Sequence, residues 1–497
     1  MNGPLRATTR SSVLHLSAAE GGGVDRYIRE VAGGAHRRHL LWHVGSGIDV
    51  IEDIAAQQFR PLSQAVEDPI AASALAEWLR SNAVGMVHLH GLGERCRDRL
   101  SLLQSVRATP WVVTLHDLTF IDPHAFAGRM FEPDFAWIAE VSDTLSRAAT
   151  VIAPSLYIRE LALRHFPTLQ CEVISPGIRT PQQSTRASAP AEFAALRPVH
   201  VVAVIGAIGP HKGSRLLDAL VNRLHETDIG IVVIGYIDSQ LFQGWRAPGR
   251  CYVHGPYVDA ELPGLIAAYN VDVALFPNRL PESFSYTLSE VWAAGIPVIV
   301  PEEGALAERV SRHGGGWILP AHFPAEDAVR LLERLFAPAS AAERARVKSE
   351  IDPRDSTRIP TLAAMARDID AIYERFGLKP PSSDNDPAAG DEALRPLLAA
   401  NLDGFAFRRE LIKLTGEAVQ LRAALEEARP WAAKLEHDIR EAQAWARKLE
   451  HEIDILTAEG KKQFEENRRL LDDKAAFDQL PLIVRKLLLK KAFRARR

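Results

Sequence analysis

A chain of 497 residues is long enough for two or three domains, and 47% hydrophobic with 25% charged residues is the balance of soluble globular protein. Its net charge of −4 leaves no electrostatic footprint for nucleic acid, and no apolar run approaches the roughly 18–20 residues of a membrane span. Three cysteines, Cys96, Cys171 and Cys251, are scattered without metal spacing, which fits a reducing cytosol rather than a disulfide framework.

The first ten residues read as irregular. Met1 to Arg6 lacks the apolar core of a signal peptide, so the expected location is cytoplasmic. Residues 13–16 form a short strand candidate that runs into Gly21-Gly22-Gly23 and a helix over 25–32. A strand, glycines and then a helix suit an approach to phosphate: glycine lets the backbone come close, and the helix end offers N–H donors. A plain tight turn has the same composition. Residues 86–91 and 111–117 are further strand candidates, ending at His90 and at His116-Asp117. Open α/β sheets place ligands at such carboxyl ends, although a single histidine there is commonly structural. Residues 151–155 and 171–177 read as scaffold closing a first domain.

A polar, proline-bounded linker spans 181–190. The run 199–205 is almost continuously apolar, as in a parallel strand covered on both faces. Gly206 to Gly213 follows with Lys212 inside it, then a helix from Ser214. A glycine-flanked loop after a buried strand favours a phosphate role for Lys212 over a merely solvated lysine. Strand candidates recur at 229–235, 251–257, 271–276 and 315–319, and residues 357–376 read as an amphipathic helix.

Beyond residue 377 the composition changes to a linker over 377–400. Leu411, Leu414, Ala418, Leu421 and Leu425 begin a series of apolar positions, in steps of three and four, that continues to Leu456. This seam predicts a coiled coil over 405–475, interrupted at Pro430. Homo-oligomerisation is the favoured reading and a helical hairpin the alternative. The segment 480–497 is a basic tail with interleaved leucines. Such tails can touch anionic membrane surfaces, yet apolar and basic positions mix on a helical wheel, which leaves a solvated tail open.

The most informative stretch is 277–301. A proline-broken loop carries Glu282-Ser283-Phe284-Ser285, a short helix from Tyr286-Thr287 carries Glu290, and Ala294-Gly295-Ile296-Pro297-Val298 starts a strand. Two glutamates eight residues apart flank a helix N-terminus whose free amides suit a ligand with both phosphate and hydroxyls. A purely structural alternative has these glutamates pairing with arginines such as Arg309.

This stretch resembles the paired-glutamate motif of the retaining glycosyltransferases of family 4, with Ser285 where the family has glycine. Lys212 falls on the lysine of the family's Gly-Arg-Leu-x-x-x-Lys-Gly pattern, and Ala207 falls on its arginine. The resemblance covers about residues 11–376. It implies the α/β GT-B fold: two Rossmann-like doubly wound domains facing a cleft. Residues 11–180 would bind the acceptor and 191–376 the nucleotide-sugar, with the last helix crossing back.

It further implies a transferase that moves a sugar from a nucleotide-sugar donor to a glycan or lipid-linked acceptor with retention of configuration. Lys212 would clamp the diphosphate, Glu282 would hold sugar hydroxyls, and His116 would lie near the reacting carbon. Glu290 would accept from the ribose diol. Gly22, Gly23, Gly206, Phe284, Ser285, Tyr286 and Thr287 would line the donor site, and Tyr257 would lie beside the base. No cofactor or metal is expected, because the family works without one and the Asp-x-Asp at Asp368-Ile369-Asp370 lies mid-helix. By analogy with tailed enzymes of this kind, the setting would be bacterial envelope polysaccharide assembly, such as lipopolysaccharide O-antigen. Two rivals are a sugar-nucleotide epimerase sharing the fold, and a scaffold whose catalytic half has decayed beside a working coiled coil.

Overall fold

The computed structural model describes residues 12–19, 22–34, 37–44, 49–62, 69–126, 131–179, 187–238, 242–378 and 474–494. The expected linker (377–400) and coiled coil (405–475) lie almost wholly outside the described residues.

The first lobe opens with β1 (Ser12–Ser17), α1 (Gly22–Gly34), β2 (His39–His43), β3 (Asp49–Asp53) and β4 (Gln58–Leu62). It continues through α2 (Pro69–Ser81), β5 (Val84–Leu89), α3 (Glu94–Val106), β6 (Trp111–Thr114), α4 (Phe135–Ser146), β7 (Thr150–Ala153), α5 (Leu156–His165) and β8 (Cys171–Val173). These strands form one sheet in the order β4-β3-β2-β1-β5-β6-β7-β8. Pairing is parallel except at β2–β3 and β3–β4, an antiparallel edge that the sequence reading did not resolve.

The second lobe begins with α6 (Ala191–Ala195), β9 (His200–Ile208), α7 (Ser214–Arg223), β10 (Ile229–Ile237), β11 (Gly244–Ala247) and β12 (Cys251–Gly255). Next come α8 (Leu262–Tyr269), β13 (Val273–Leu275), α9 (Tyr286–Ala293), β14 (Val298–Pro301), α10 (Gly304–His313) and β15 (Gly316–Leu319). Helices α11 (Ala325–Phe336), α12 (Ala341–Ser349) and α13 (Leu362–Arg375) follow. The sheet order is β11-β12-β10-β9-β13-β14-β15, antiparallel only at β11–β12.

The apolar run of β9 is explained by burial on both sides. Val201, Ala203 and Ile205 enter one hydrophobic cluster, whereas Val202, Val204 and Ile208 enter the cluster on the opposite face. Both sheets also reverse their winding beside their first strand. The chain leaves β1 on one side and returns to β5 on the other, and it leaves β9 and returns to β13 in the same way. The carboxyl ends at such reversals are where open α/β sheets leave a crevice.

Three boundaries differ from those expected. Helix α1 starts at Gly22 rather than Asp25, so Gly22 and Gly23 form its first turn instead of a loop ahead of it. Strand β9 runs on to Ile208, which puts Gly206 inside the strand. The helix expected over 357–376 begins only at Leu362, after Pro360, with the Thr361 hydroxyl accepting from the Ala364 amide at 3.2 Å as its N-cap.

Helix α13 follows the second lobe in sequence but packs on the first. Met365, Ile369, Ile372 and Tyr373 share a buried cluster with Val13, Tyr27, Val31, Met86, Val112 and Ile152. Arg37 reinforces the contact by donating to Asp370 at 2.8 Å and Glu374 at 2.7 Å, so Asp370 is an ion-pair partner within α13. The outgoing and returning chains cross where the Ile178 amide donates to the Pro360 carbonyl at 2.9 Å. A Cβ on Gly177 would sit 2.3 Å from the Thr361 backbone, so only glycine fits that crossing.

Residues 414–497 form a separate unit, of which α14 (Leu482–Arg494) is described by itself. It exposes Leu482, Ile483, Leu487, Leu488 and Leu489 among basic residues. No described helix is long and apolar enough to cross a membrane.

Candidate active site between the two lobes

On the second lobe, the loops after β9 and β13 are woven together. The His211 carbonyl accepts from the amides of Arg279 (2.8 Å) and Leu280 (3.1 Å). Gly213 has φ +81°, and a Cβ there would lie 2.0 Å from the Pro277 carbonyl oxygen. Glycine at this position therefore lets the two loops touch, which brings Lys212 beside Glu282: Lys212 Nζ lies 3.5 Å from Glu282 Oε1. Asn278, a buried residue on the same loop, donates to Glu282 Oε1 at 2.8 Å. The Glu282 backbone is gripped from behind, its carbonyl accepting from the Ala305 amide at 2.8 Å. Lys212, Asn278, Glu282, Ser285 and Thr287 line a small pocket floored by Val204, Ile205, Ile208, Leu275, Phe276 and Pro277.

Ser285 caps α9, its hydroxyl accepting from the Leu288 amide at 3.3 Å. Its φ of +72° is a backbone state natural to glycine, the residue the resembled family uses here. The Phe284 side chain is turned into the core beneath Arg309, whose guanidinium lies 4.3 Å from the ring centre. Arg309 is itself buried, donating to the carbonyls of Phe284 (3.2 Å) and Ser285 (3.0 Å) and to Ser289 Oγ (2.7 Å). It thus locks the turn into α9 and pairs with neither glutamate; the arginine pairing that the structural alternative expects is made instead by Glu290 with Arg26.

The partner of Glu290 comes from the first lobe. Arg26 of α1 donates through Nη1 to Glu290 at 2.8 Å, and the same nitrogen lies 3.0 Å from Asp259. Its Nε donates to Glu30 at 2.9 Å, and the guanidinium sits 4.2 Å over the Tyr286 ring. Burial raises the Glu290 carboxyl above the usual range, with Arg26 opposing. Tyr257 is half-buried near this group, and burial followed by the Glu290 charge pushes its phenol up.

From the first lobe, α1 through Arg26 and the segment after β6 through His116 meet this wall. Built Cβ atoms on Gly22, Gly23 and Gly206 would each meet nothing within 4 Å, unlike the one on Gly213. Open space therefore lies over the first turn of α1, where the leading amides have no intrahelical partner, and beside β9. His116 follows β6, and its carbonyl accepts from the Ser283 hydroxyl across the cleft. Burial lowers its imidazole to about 3, so the ring is neutral at neutral pH. The Tyr27 ring meets it edge-on at 4.8 Å between centroids.

The structure therefore brings His116, Lys212, Glu282, Ser285, Thr287 and Glu290 to one inter-lobe cleft, with Gly22, Gly23 and Gly206 open beside it. The sequence reading missed Arg26 and Asn278. Arg26 sits one residue past Asp25 on a helix read as offering only its backbone N–H groups to phosphate, although a cation just inside a glycine-led helix was a usable signal. Among the described residues, one group has a spacing that could hold a metal ion, His15, His88 and His90, whose ring nitrogens lie within 4.8 Å of one another.

Residues 21–182 match the family model described as Glycosyltransferase Family 4, and residues 199–337 match that of Glycosyl transferases group 1. Among curated proteins, none matches the chain by sequence. Among solved structures, Anabaena Alr3699/HepE in complex with UDP and glucose is similar at a TM-score of 0.53 and 15% identity, covering 73% of this chain and 100% of that one. Sucrose-phosphate synthase from Thermosynechococcus elongatus is similar at 0.54 and 17% identity, covering 74% and 99%. A glycosyltransferase from Rickettsia africae is similar at 0.53 and 15% identity, covering 74% and 98%.

Proposed function

Because this chain belongs to the family 4, group 1 glycosyltransferases and has their two-lobed GT-B fold, we propose that it transfers a sugar from a nucleotide-sugar donor with retention of configuration. The observation that carries this reading is the pairing of each glutamate with a cation inside the cleft, Glu282 with Lys212 and Glu290 with Arg26. An ionised carboxylate only accepts hydrogen bonds and can take two hydroxyls, so it suits the diols of a sugar or a ribose.

In this reading the donor's diphosphate lies between Lys212 and the amides of the α1 turn at Gly22 and Gly23. Negative charge on the departing phosphate is then met by fixed N–H groups and a lysine that need no reorganisation. Glu282 holds sugar hydroxyls, Glu290 the ribose diol, and Tyr257 flanks the base. His116 borders the reacting carbon. The bond from the anomeric carbon to the phosphate oxygen breaks, and the acceptor oxygen bonds to that carbon on the same face. The departing phosphate takes the acceptor proton, so the site needs no dedicated protein base and no metal.

The acceptor is a glycan or a lipid-linked sugar, in keeping with envelope polysaccharide assembly on the cytoplasmic side of a membrane. The heptad region assembles copies of the chain, and α14 with its exposed leucines and lysines rests at the membrane surface. The test is a thermal-shift screen of nucleotide-sugars, followed by an assay for nucleoside diphosphate release with and without acceptor. Release that depends on acceptor, and falls at least a hundredfold in Glu290→Ala, supports transfer. Interconversion of the donor sugar without release would identify an epimerase instead.

A further inference from the structure

Four histidines form a single hydrogen-bonded line beneath the cleft. His39 Nδ1 lies 2.7 Å from His15 Nε2, His15 Nδ1 lies 2.8 Å from His90 Nε2, and His90 Nδ1 lies 2.8 Å from His116 Nε2. The rings come from β2, β1 and the ends of β5 and β6, so the sheet order itself sets them side by side. Rings His15 and His39 stack at 5.1 Å, His15 and His90 at 5.0 Å, and His90 and His116 at 5.1 Å. His88 lies against the line but outside it, with its two nitrogens engaged by Tyr373 OH (2.6 Å) and Thr114 Oγ1 (2.7 Å).

Burial holds His39 at about 4 and His116 at about 3, and lowers His15 and His90 as well, so all four are neutral at neutral pH. A neutral imidazole has one donor nitrogen and one acceptor nitrogen. Each link needs one of each, so a line of neutral rings has only two arrangements: every ring protonated at Nδ1, or every ring protonated at Nε2. The far end decides between them. His39 Nε2 is buried and has no hydrogen-bond partner. In the Nε2–H arrangement it would be a buried orphan N–H, a rare and costly state. In the Nδ1–H arrangement it is a bare lone pair. Arg37 acts on His39 as a cation while pairing with Asp370 and Glu374. A cation disfavours a further N–H beside it. Beside the line lie the neutral His88 ring and the hydroxyl groups of Tyr27, Tyr373 and Thr114.

We propose that His39, His15 and His90 are positioning residues that fix His116 as its Nδ1–H tautomer, so that His116 meets the substrate as a hydrogen-bond donor. The proton on His90 Nδ1 fills His116 Nε2, which leaves Nδ1 as the ring's donor atom. The same bonds argue against reading the histidines as a metal centre, since every ring nitrogen of His15, His88 and His90 already has a protein partner at 2.6–2.8 Å. The inference rests on His116 bordering the transfer cleft. Its test reads the ring directly, whether or not a sugar is transferred, so the two readings can fail separately.

The experiment is long-range proton–nitrogen correlation NMR on the full chain labelled with nitrogen-15 at histidine, at pH 7.5. The expected result is one neutral Nδ1–H tautomer for His39, His15, His90 and His116. His116 in the Nε2–H form, or averaging between the two, overturns the proposal even if no variant folds. In His39→Phe the line loses its first donor, and His116 should lose its single tautomer. In His39→Asn the amide N–H stands in for Nδ1–H, and the wild-type His116 signal should return. An unchanged His116 in His39→Phe overturns the proposal. So does a stoichiometric shift of His15, His88 and His90 on adding zinc ion alone.

Discussion

Arg26 of the first lobe holds Glu290 of the second at 2.8 Å, and so ties the glycine turn of α1 to the helix that follows the paired-glutamate loop. The residue proposed to grip the ribose is thus already oriented by the lobe that faces it. Only small parts of either side chain reach solvent, so the pair is worth more than a surface ion pair and less than a fully buried one.

Replacing Arg26 with methionine leaves Glu290 without its cation. The carboxyl, already raised by burial, should rise further once the opposing charge is gone. The expected cost is about 1–3 kcal/mol of folding stability, discounted for partial exposure, together with weaker donor binding. Urea unfolding and titration with the nucleotide-sugar selected by the thermal-shift screen measure the two effects. Unchanged binding would remove Arg26 from the donor site.

Ser285 supplies a cap at the expense of backbone strain. With φ at +72°, Ser285→Gly should relieve strain on the order of 1 kcal/mol while losing only a few tenths from the cap. Ser285→Ala keeps the strain and loses the cap, so it should destabilise by about 1 kcal/mol. Thermal unfolding of the two variants should move in opposite directions.

The neutral histidines give stability a defined pH dependence. His39 and His116 titrate near 6.5 when unfolded but near 4 and 3 when folded. Below pH 6.5 the unfolded chain therefore binds more protons, so this stability is fully present above 6.5. It is lost as pH falls toward 4 and 3, at up to about 1.4 kcal/mol per pH unit for each ring. The urea midpoint should be lower at pH 5 than at pH 7.5. Equal midpoints would mean that the rings are already charged in the native state.

The heptad seam carries its own test. Deleting residues 400–497 should reduce the assembly to a smaller mass by light scattering while leaving transfer to a soluble acceptor intact. An unchanged number of copies would refute assembly through this region.

The central parallel strands and the second-lobe wall were legible because their signals are local, whereas β2, β3, β4 and β11 were not read. The apolar run of β9, the glycines around Lys212 and the sequence from Glu282 to Val298 each place their own residues. Arg26 and the histidine line were not legible, because their meaning lies in contacts between distant elements. Arg26 and Glu290 stand 264 positions apart, and His15 and His90 stand 75 apart. His15 sits on a strand that pattern reading can only fill with buried side chains, and the strand that carries His39 was not read at all. The start of α13 was misread because Pro360 was counted within an amphipathic run, where a helix entry after the proline was the better fit.

The central claim is that the cleft receives an activated sugar with its phosphates between Lys212 and the α1 turn. A crystal structure with the nucleotide-sugar selected by the thermal-shift screen soaked in tests it most directly. The account predicts diphosphate within hydrogen-bonding distance of Lys212 and the amides of Gly22 or Gly23, ribose on Glu290 and the donor sugar on Glu282. A nucleotide seated outside the cleft, touching neither glutamate, would contradict it.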